Sequence, residues 1–298
     1  QFLERLPAGV QFFSLLQSND NTLKLLVDIV GVAPRLSAWL SRNAQLVDIL
    51  IETRPTSDNG DDFAVDNVLD FADILDALRL DVHHSQFRTG VFLLANPTNF
   101  QTAGAQFADI ARRSISRLLP AVQRDIAARH GSLEQAQMAV IGMGKLGSGE
   151  MSLQSDLDLV IVCDSSDFAE TSDGDKPLAG DVWMARAARR LISGLTVPTQ
   201  EGSLYNVDMR LRPSGNAGPL VTKMTSFTAY QQNDAWTWEH MALTQASVIA
   251  GSPDLVARLN AVMVDVICRR RDKSMLADDV EAMRRRLFEH QKIRGPLD

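Results

Sequence analysis

The stretch VIGMGKLGSGEMSLQSDLDLVIVCD, residues 140–164, joins two short apolar runs through a glycine-rich turn. Its glycines match by letters the G-x-G-x-x-G pattern of dinucleotide-binding folds, and Asp164 follows at the distance of a ribose-binding acid. That fold needs a crossover helix between its first two strands, in a unit of about thirty residues. Only residues 148–155 separate Gly147 from Asp156, too short and too polar a segment for that helix. We therefore interpret the glycines as a turn between strands and Asp164 as a strand end.

Two acids open the second apolar run. Asp156 and Asp158 are separated by one residue, so both side chains point to the same face of the predicted strand. Neighbouring carboxylates repel each other unless a cation lies between them. Their hard oxygens suit Mg²⁺, which usually takes one or two carboxylates together with substrate phosphates. A metal site therefore competes with the simpler interpretation of two solvated acids at a strand entry.

A third acid lies in SLYNVDMRLRP, residues 203–213, whose alternating pattern predicts a strand that ends at Pro213. The alternation places Asp208 on one face with Arg210 and Arg212. An acid for a metal beside arginines for phosphate is what phosphoryl or nucleotidyl transfer requires. The alternative is a surface strand with a mixed-charge outer face.

Together these motifs resemble the DNA polymerase beta-type nucleotidyltransferase superfamily. Its members have a glycine turn after one strand, Asp-x-Asp opening the next, and a single acid on a third. Here twelve residues separate Met143 from Asp156, which fits the pattern. Met143 stands where the superfamily has a serine, so we expect backbone N–H groups of the turn to replace its hydroxyl.

Within that superfamily the chain resembles the glutamine synthetase adenylyltransferases more closely. The similarity is carried by residues 142–160, by YNVDMRLRPSGNAGPLV (205–221) and by YQQNDAWTWEHMAL (230–243), and it extends into the helical lead-in at 33–51. These bacterial enzymes have two homologous halves, one attaching AMP to glutamine synthetase and one removing it. AWTWEH (235–240) resembles the attaching, C-terminal half, since the removing half tends to have Arg-Asp-Trp-Glu there.

The resemblance implies roles for the residues that match its motifs. Asp156, Asp158 and Asp208 would hold two Mg²⁺ ions around ATP, and Asp208 would accept the proton of a glutamine synthetase tyrosine. A second group would bind the nucleotide: Gly142, Gly144, Lys145, Gly147, Ser155, Arg210 and Arg212. Glutamine and the PII signalling protein are implied as regulators.

The pattern along the chain predicts a mostly helical α+β protein, with a polymerase beta-like sheet unit flanked by helical segments. We place a helical N-terminal segment at 1–100, the catalytic domain at 101–222 and a truncated helical segment at 223–298. Apolar residues at helical spacing predict helices within 10–51, 63–92, 103–130, 181–195, 225–249 and 253–291. We expect Trp236 and Trp238 to be core residues.

Composition excludes several classes of protein. The net charge of −7 over 298 residues gives no support for a nucleic-acid binder, and no apolar stretch is long enough to span a membrane. Cys163 and Cys268 show neither disulfide nor zinc spacing, which favours a reducing, cytoplasmic location. Because the chain begins at Gln1, we expect it to be a piece of a longer protein.

Two other functions stay open at this point. The chain could belong to the half that removes AMP from glutamine synthetase. It could instead be a regulatory module, with weak activity of its own, whose flanking helices dock glutamine synthetase or PII.

Overall fold

The computed structural model describes residues 20–43, 46–51, 70–134, 136–164, 171–199 and 202–290. They form two compact units. The first comprises the described residues up to Ala121 together with Gly149–Ser155 and the described part of Gly194–Tyr205, and the second comprises the other described residues. The parts of the predicted helices at residues 10–19 and 63–69 lie outside the described residues.

The first unit is helical. Its elements are α1 (Asp20–Val32), α2 (Pro34–Arg42), α3 (Leu46–Ile51), α4 (Phe71–Ala95), a 3-10 turn (Pro97–Asn99) and the first part of α5 (Phe100–His130). Pro34 begins α2, a position at which its missing N–H leaves no hydrogen bond unmade. Ile29, Leu40 and Phe87 are among the fully buried side chains that join α1, α2 and α4 in one apolar core.

The second unit carries a five-stranded sheet. Its elements are the end of α5, β1 (Gln137–Gly142), α6 (Gly144–Ser148), β2 (Leu157–Asp164), most of α7 (Gly180–Thr196), β3 (Val207–Asp208), β4 (Val221–Lys223), α8 (Met224–Ala229), a π-helical turn (Tyr230–Asp234), α9 (Thr237–Leu243), β5 (Ser247–Gly251), α10 (Pro253–Cys268) and α11 (Lys273–His290). The mostly helical α+β class predicted from the sequence is confirmed, whereas the polymerase beta-like assignment and the three segment boundaries stay predictions.

The sheet topology excludes a dinucleotide-binding unit. β1 pairs antiparallel with β2 on one side and with β5 on the other. A dinucleotide unit would need β1 and β2 to be parallel. The short return between them therefore confirms the interpretation of the glycines as a turn. Asp164 ends β2, as predicted, and forms an ion pair of 2.5 Å with Arg258 of α10.

One edge of β2 is shared by two strands. β3 pairs in parallel with the start of β2, and β4 pairs in parallel with its end. Residues 209–220 connect them. β1 and β2 are almost wholly buried on both faces, which explains their near-continuous apolar sequences. Ile141 and Val160 are among the buried residues of the face that packs against α8, α9 and α10.

The glycine turn is shaped by close backbone packing. A Cβ atom on Gly147 would lie 2.0 Å from the carbonyl oxygen of Gln245 and 2.6 Å from that of Gly142. Neither neighbour is a flexible side chain, so only a residue without Cβ fits here unless the backbone moves. The last turn of α6 is thereby held against the segment between α9 and β5.

Three expectations from the sequence are wrong in detail. Residues 247–249, expected to end a helix, instead begin β5, which pairs with β1. The strand expected over 203–213 is limited to Val207 and Asp208, which form β3, because the chain turns from Arg210 onward. Trp236 is 66% exposed, so it is not a core residue, whereas Trp238 is partly buried.

The two cysteines lie in different surroundings. Cys163 is buried in β2, where burial raises the pKa of its thiol to about 12, whereas Cys268 is exposed at the end of α10. No helix in the described part of the chain is both long and apolar enough to cross a bilayer.

Substitution of Gly147 by alanine should destabilise the second unit. The new methyl group must displace backbone, which costs about 1–3 kcal/mol and lowers the urea midpoint. Gly31→Ala is a matched control, since a Cβ at Gly31 of α1 would meet no atom within 4 Å. It should leave the midpoint unchanged or raise it slightly. Equal midpoints for the two variants would contradict the packing argument.

Candidate active site

Strand pairing brings two of the predicted acids together. In the parallel pairing of β2 with β3, Leu157 is opposite Val207 and Asp158 is opposite Asp208. Neighbours in register on adjacent strands point to the same face of a sheet, so the two carboxylates lie side by side. The backbone N–H of Leu157 donates to the carbonyl oxygen of Asn206 at 2.9 Å and fixes this register.

The third acid lies just outside the strand. Asp156 immediately precedes β2 and is exposed. Its Oδ1 accepts a hydrogen bond of 3.2 Å from Nδ2 of Asn206. Asn206 therefore orients Asp156, a role that the sequence analysis missed. The signal was present, because Asn206 alternates onto the same face as Asp208.

The glycine turn lies directly against Asp158. The backbone N–H of Met143 donates to the carbonyl oxygen of Asp158 at 2.9 Å. Gly144 has a φ of +51°, which favours glycine, and a Cβ there would lie 3.0 Å from Oδ2 of Asp158. Lys145 follows in α6 with its side chain exposed. The loop predicted to bind phosphates and the second acid of Asp-x-Asp are thus neighbours.

Asp158 lies in an environment that disfavours its charge. Burial raises its pKa above the ordinary value of 3.8, and the negative charges of Asp208 and Asp156 raise it further. The positive charges of Arg210 and Lys145 only partly offset this effect on the pKa. The site therefore holds more negative charge than its own cations balance.

Asp208 differs from Asp158 because its carboxylate is paired with the guanidinium of Arg210. Its Oδ1 accepts from the backbone N–H of Arg210 at 2.8 Å, and its Oδ2 accepts from Nε of Arg210 at 2.7 Å. These hydrogen bonds, above all that from the guanidinium, hold the pKa of Asp208 below its usual range. Asp208 is consequently ionised at neutral pH.

The carboxylates suit Mg²⁺ in donor chemistry and in charge. Their hard oxygens and the unbalanced charge around Asp158 both favour a divalent ion. As the side chains stand, however, no group of three or more His, Cys, Asp or Glu residues in the described ranges is arranged to hold a metal ion. At Asp208 the guanidinium of Arg210 takes the place of such an ion.

Two other predicted nucleotide-binding residues are engaged elsewhere. Arg212 donates to the carbonyl oxygens of Met209, at 2.7 Å, and Gly218, at 3.4 Å, and so braces the loop after β3. Ser155 belongs to the first unit, where its hydroxyl accepts from the backbone N–H of Ser152 at 2.9 Å. Neither side chain is joined to the carboxylates by a hydrogen bond in this structure.

Glu239 has a structural role beside the site. Its carboxylate accepts from the hydroxyl of Tyr230 at 2.7 Å and from the backbone N–H of Trp236 at 2.9 Å, and so caps α9. Trp238 and Met143 both line a small cavity under the sheet. These contacts explain Trp238 and Glu239 of the AWTWEH motif by packing and helix capping.

The fold and site define a mostly helical α+β protein with carboxylates gathered at a glycine turn. Comparison with protein families places a match to the model described as "Glutamate-ammonia ligase adenylyltransferase" over residues 23–262. The chain therefore belongs to the glutamate–ammonia ligase adenylyltransferase family, in agreement with the resemblance found in the sequence.

Individual relatives support this assignment. The chain is similar to bifunctional glutamine synthetase adenylyltransferase/adenylyl-removing enzymes of Brucella suis, at 43% identity over 100% of the chain, and of Mesorhizobium japonicum, at 40% over 100%. The enzyme of Rhizobium meliloti is 39% identical over 95% of the chain. The chain spans 31%, 31% and 30% of the lengths of these three relatives.

Replacement of Asp158 by asparagine should stabilise the fold at neutral pH. The pKa of Asp158 in the folded chain lies above the ordinary value of 3.8. Asp158 therefore stabilises the fold fully below pH 3.8, and this contribution is lost as the pH rises through the pKa of the folded state. Asp158→Asn removes a partly buried charge and its repulsion by Asp208 and Asp156, so its urea midpoint should exceed that of the unmodified chain at pH 7. The difference should vanish as pH falls below 3.8.

Asp164→Asn is the control for this measurement. It removes a carboxylate from the other end of β2 but breaks the ion pair with Arg258. It should therefore give no gain in midpoint at pH 7. A midpoint for Asp158→Asn at or below that of the unmodified chain would contradict the electrostatic argument.

Proposed function

We propose that this chain transfers AMP from ATP to a tyrosine of glutamine synthetase, with release of pyrophosphate, and so lowers nitrogen assimilation. The observation that carries the proposal is the meeting of Asp158, Asp208 and the glycine turn at one edge of the sheet. Family membership supports the same chemistry, since the relatives are named as adenylyltransferases of glutamine synthetase. The cytoplasmic location and the regulation by PII and glutamine stay predictions.

The chain's own residues would divide the work of binding ATP. Backbone N–H groups of the turn that contains Gly142, Gly144 and Gly147 would bind phosphate oxygens, a task for which successive amides are suited. In this structure the N–H of Gly147 donates to the carbonyl oxygen of Met143 at 3.2 Å and would first have to leave it. The exposed ammonium of Lys145 would add positive charge beside them. Asp156, Asp158 and Asp208 would hold the metal.

The reaction requires the tyrosine oxygen to attack the α-phosphorus while the bond to pyrophosphate breaks. Mg²⁺, as two ions in the arrangement that the resemblance implies, would stabilise charge on the attacking and leaving oxygens. The carboxylate of Asp208, ionised at neutral pH, would accept the tyrosine proton. Arg210 and Arg212 are the candidates for charge on the phosphates, although Arg212 would first have to leave its backbone carbonyl partners.

A second candidate function is the reverse direction, phosphorolytic removal of AMP. The names of the relatives include both activities, so membership alone does not choose between them. The AWTWEH motif favours attachment by resemblance.

Asp156→Asn and Asp208→Asn should each leave the fold intact and abolish AMP transfer. Loss of a metal-binding carboxylate removes several kcal/mol of transition-state stabilisation, a fall of about 100-fold or more in rate. Transfer is measured as incorporation of label from α-labelled ATP into glutamine synthetase with Mg²⁺, and folding by circular dichroism.

Asp164→Asn is the matched control and should retain transfer, because Asp164 pairs with Arg258 at the far end of β2. Normal transfer by either Asp156→Asn or Asp208→Asn would refute the assignment of these acids.

The direction of the reaction has its own test. We expect label from ATP to enter unmodified glutamine synthetase, and no ADP to appear when phosphate is added to the adenylylated form. Release of ADP without incorporation would assign the chain to AMP removal. Neither reaction, together with tight binding to glutamine synthetase, would favour the docking module.

A further inference from the structure

Arg210 holds the carboxylate that the proposed reaction needs for its metal. Its backbone N–H binds one oxygen of Asp208, and its guanidinium binds the other through Nε at 2.7 Å and a terminal nitrogen at 2.5 Å. Both carboxylate oxygens are therefore occupied by a residue two positions further along the chain. An ion cannot bind Oδ2 while the guanidinium remains there.

The guanidinium of Arg210 lies where three neighbouring carboxylates favour a cation. Asp208 lies opposite Asp158 in register, and Asp156 adds a third negative charge. Lys145 is the other cation that acts on Asp158, and its side chain is exposed on α6. Without a bound metal ion, Arg210 pairs directly with Asp208 and so limits repulsion between the two carboxylates, whereas Arg212 acts on Asp208 only through its charge.

The guanidinium is free to leave. The side chain of Arg210 is 75% exposed, and the hydrogen bonds described for it run to Asp208. Exposed ion pairs contribute little to stability, so release of the guanidinium in exchange for a divalent ion costs little. Arg212 provides the contrast, since its guanidinium is tied to the backbone carbonyls of Met209 and Gly218.

We propose that Arg210 is a built-in counter-ion: metal binding displaces its guanidinium from Asp208, and the freed side chain then binds phosphate oxygens of the nucleotide. This inference rests on the proposed function, in which the carboxylates bind a metal. Mg²⁺ commonly arrives with substrate phosphates, and a guanidinium forms strong charge-assisted hydrogen bonds to them. The same arginine thus opposes metal binding alone and favours metal and nucleotide together.

The exchange links the two binding events. In the unmodified chain, a phosphate that captures Arg210 lowers the cost of freeing Asp208, so nucleotide strengthens metal binding. By thermodynamic reciprocity, metal strengthens nucleotide binding by the same factor. Loss of the arginine should raise affinity for metal alone and reduce this mutual strengthening.

The experiment measures Mn²⁺, a spectroscopic substitute for Mg²⁺, by electron paramagnetic resonance with and without α,β-methylene ATP. Arg210→Ala should bind Mn²⁺ alone roughly five-fold more tightly, as expected from the loss of one weak, exposed ion pair. Its affinity for the ATP analogue in saturating Mn²⁺ should fall by a similar factor. Arg210→Lys keeps the positive charge but loses the planar set of guanidinium donors. Its affinities should lie between those of the unmodified chain and those of Arg210→Ala.

Arg285→Ala is the charge-matched control, since it removes one exposed arginine from α11. It should reproduce the unmodified affinities. The counter-ion role would be overturned if Arg210→Ala bound Mn²⁺ no more tightly than the Arg285→Ala control does.

Asp208→Asn separates this failure from that of the proposed function. If Asp208→Asn loses Mn²⁺ binding while Arg210→Ala leaves it unchanged, the metal site stands and the inference about Arg210 fails. If Asp208→Asn binds Mn²⁺ as the unmodified chain does, or no variant binds it, both fail.

Discussion

The contact between the glycine turn and Asp158 is the constraint on which the site depends. β1 and β2 are antiparallel neighbours, and the chain must return between them while leaving room for a carboxylate. Gly144 provides that room, because a Cβ there would lie 3.0 Å from Oδ2 of Asp158. The amides of the turn are thereby held next to an acid without blocking it. A loop built from larger residues would have to move away from the strand and lose this proximity.

The same proximity has an electrostatic cost. Placing Asp208 in register with a partly buried Asp158 concentrates negative charge. The pKa of Asp158 is raised first by burial and then by this repulsion. The sheet can tolerate this because β1 and β2 are almost fully buried by apolar side chains on both faces. Stability supplied by the apolar strands therefore supports an arrangement of charges that would be unfavourable alone.

Much of this arrangement could be predicted from residues close together in the chain. The two central strands, the turn and the shared face of Asp156 and Asp158 follow from short-range alternation and from the absence of a crossover helix. The resemblance to adenylyltransferases identified the family before any geometry was known. The alternation over 203–213 already marked Asp208 as a candidate metal ligand, but its place beside Asp158, some fifty residues earlier, came only from the resemblance.

The errors arose where tertiary contacts override local pattern. The first residues of β5 were expected to be helical, yet this strand gains its hydrogen bonds from β1, a partner that no local rule reveals. The alternation over 203–213 continues past the point where the backbone turns, because Leu211 still packs against the core below the sheet. Trp236 was expected inside because of its size, but its backbone begins α9 and leaves the ring exposed.

Burial of Cys163 protects the strand that carries Asp158 from redox chemistry. Thiolate is the form of cysteine that attacks disulfides and oxidants, and a pKa of about 12 leaves almost none of it at neutral pH. Cys268, exposed at the end of α10, is the more accessible thiol of the two. Under oxidative stress Cys268 would therefore be oxidised before Cys163, and the strand that carries Asp158 would stay chemically unchanged.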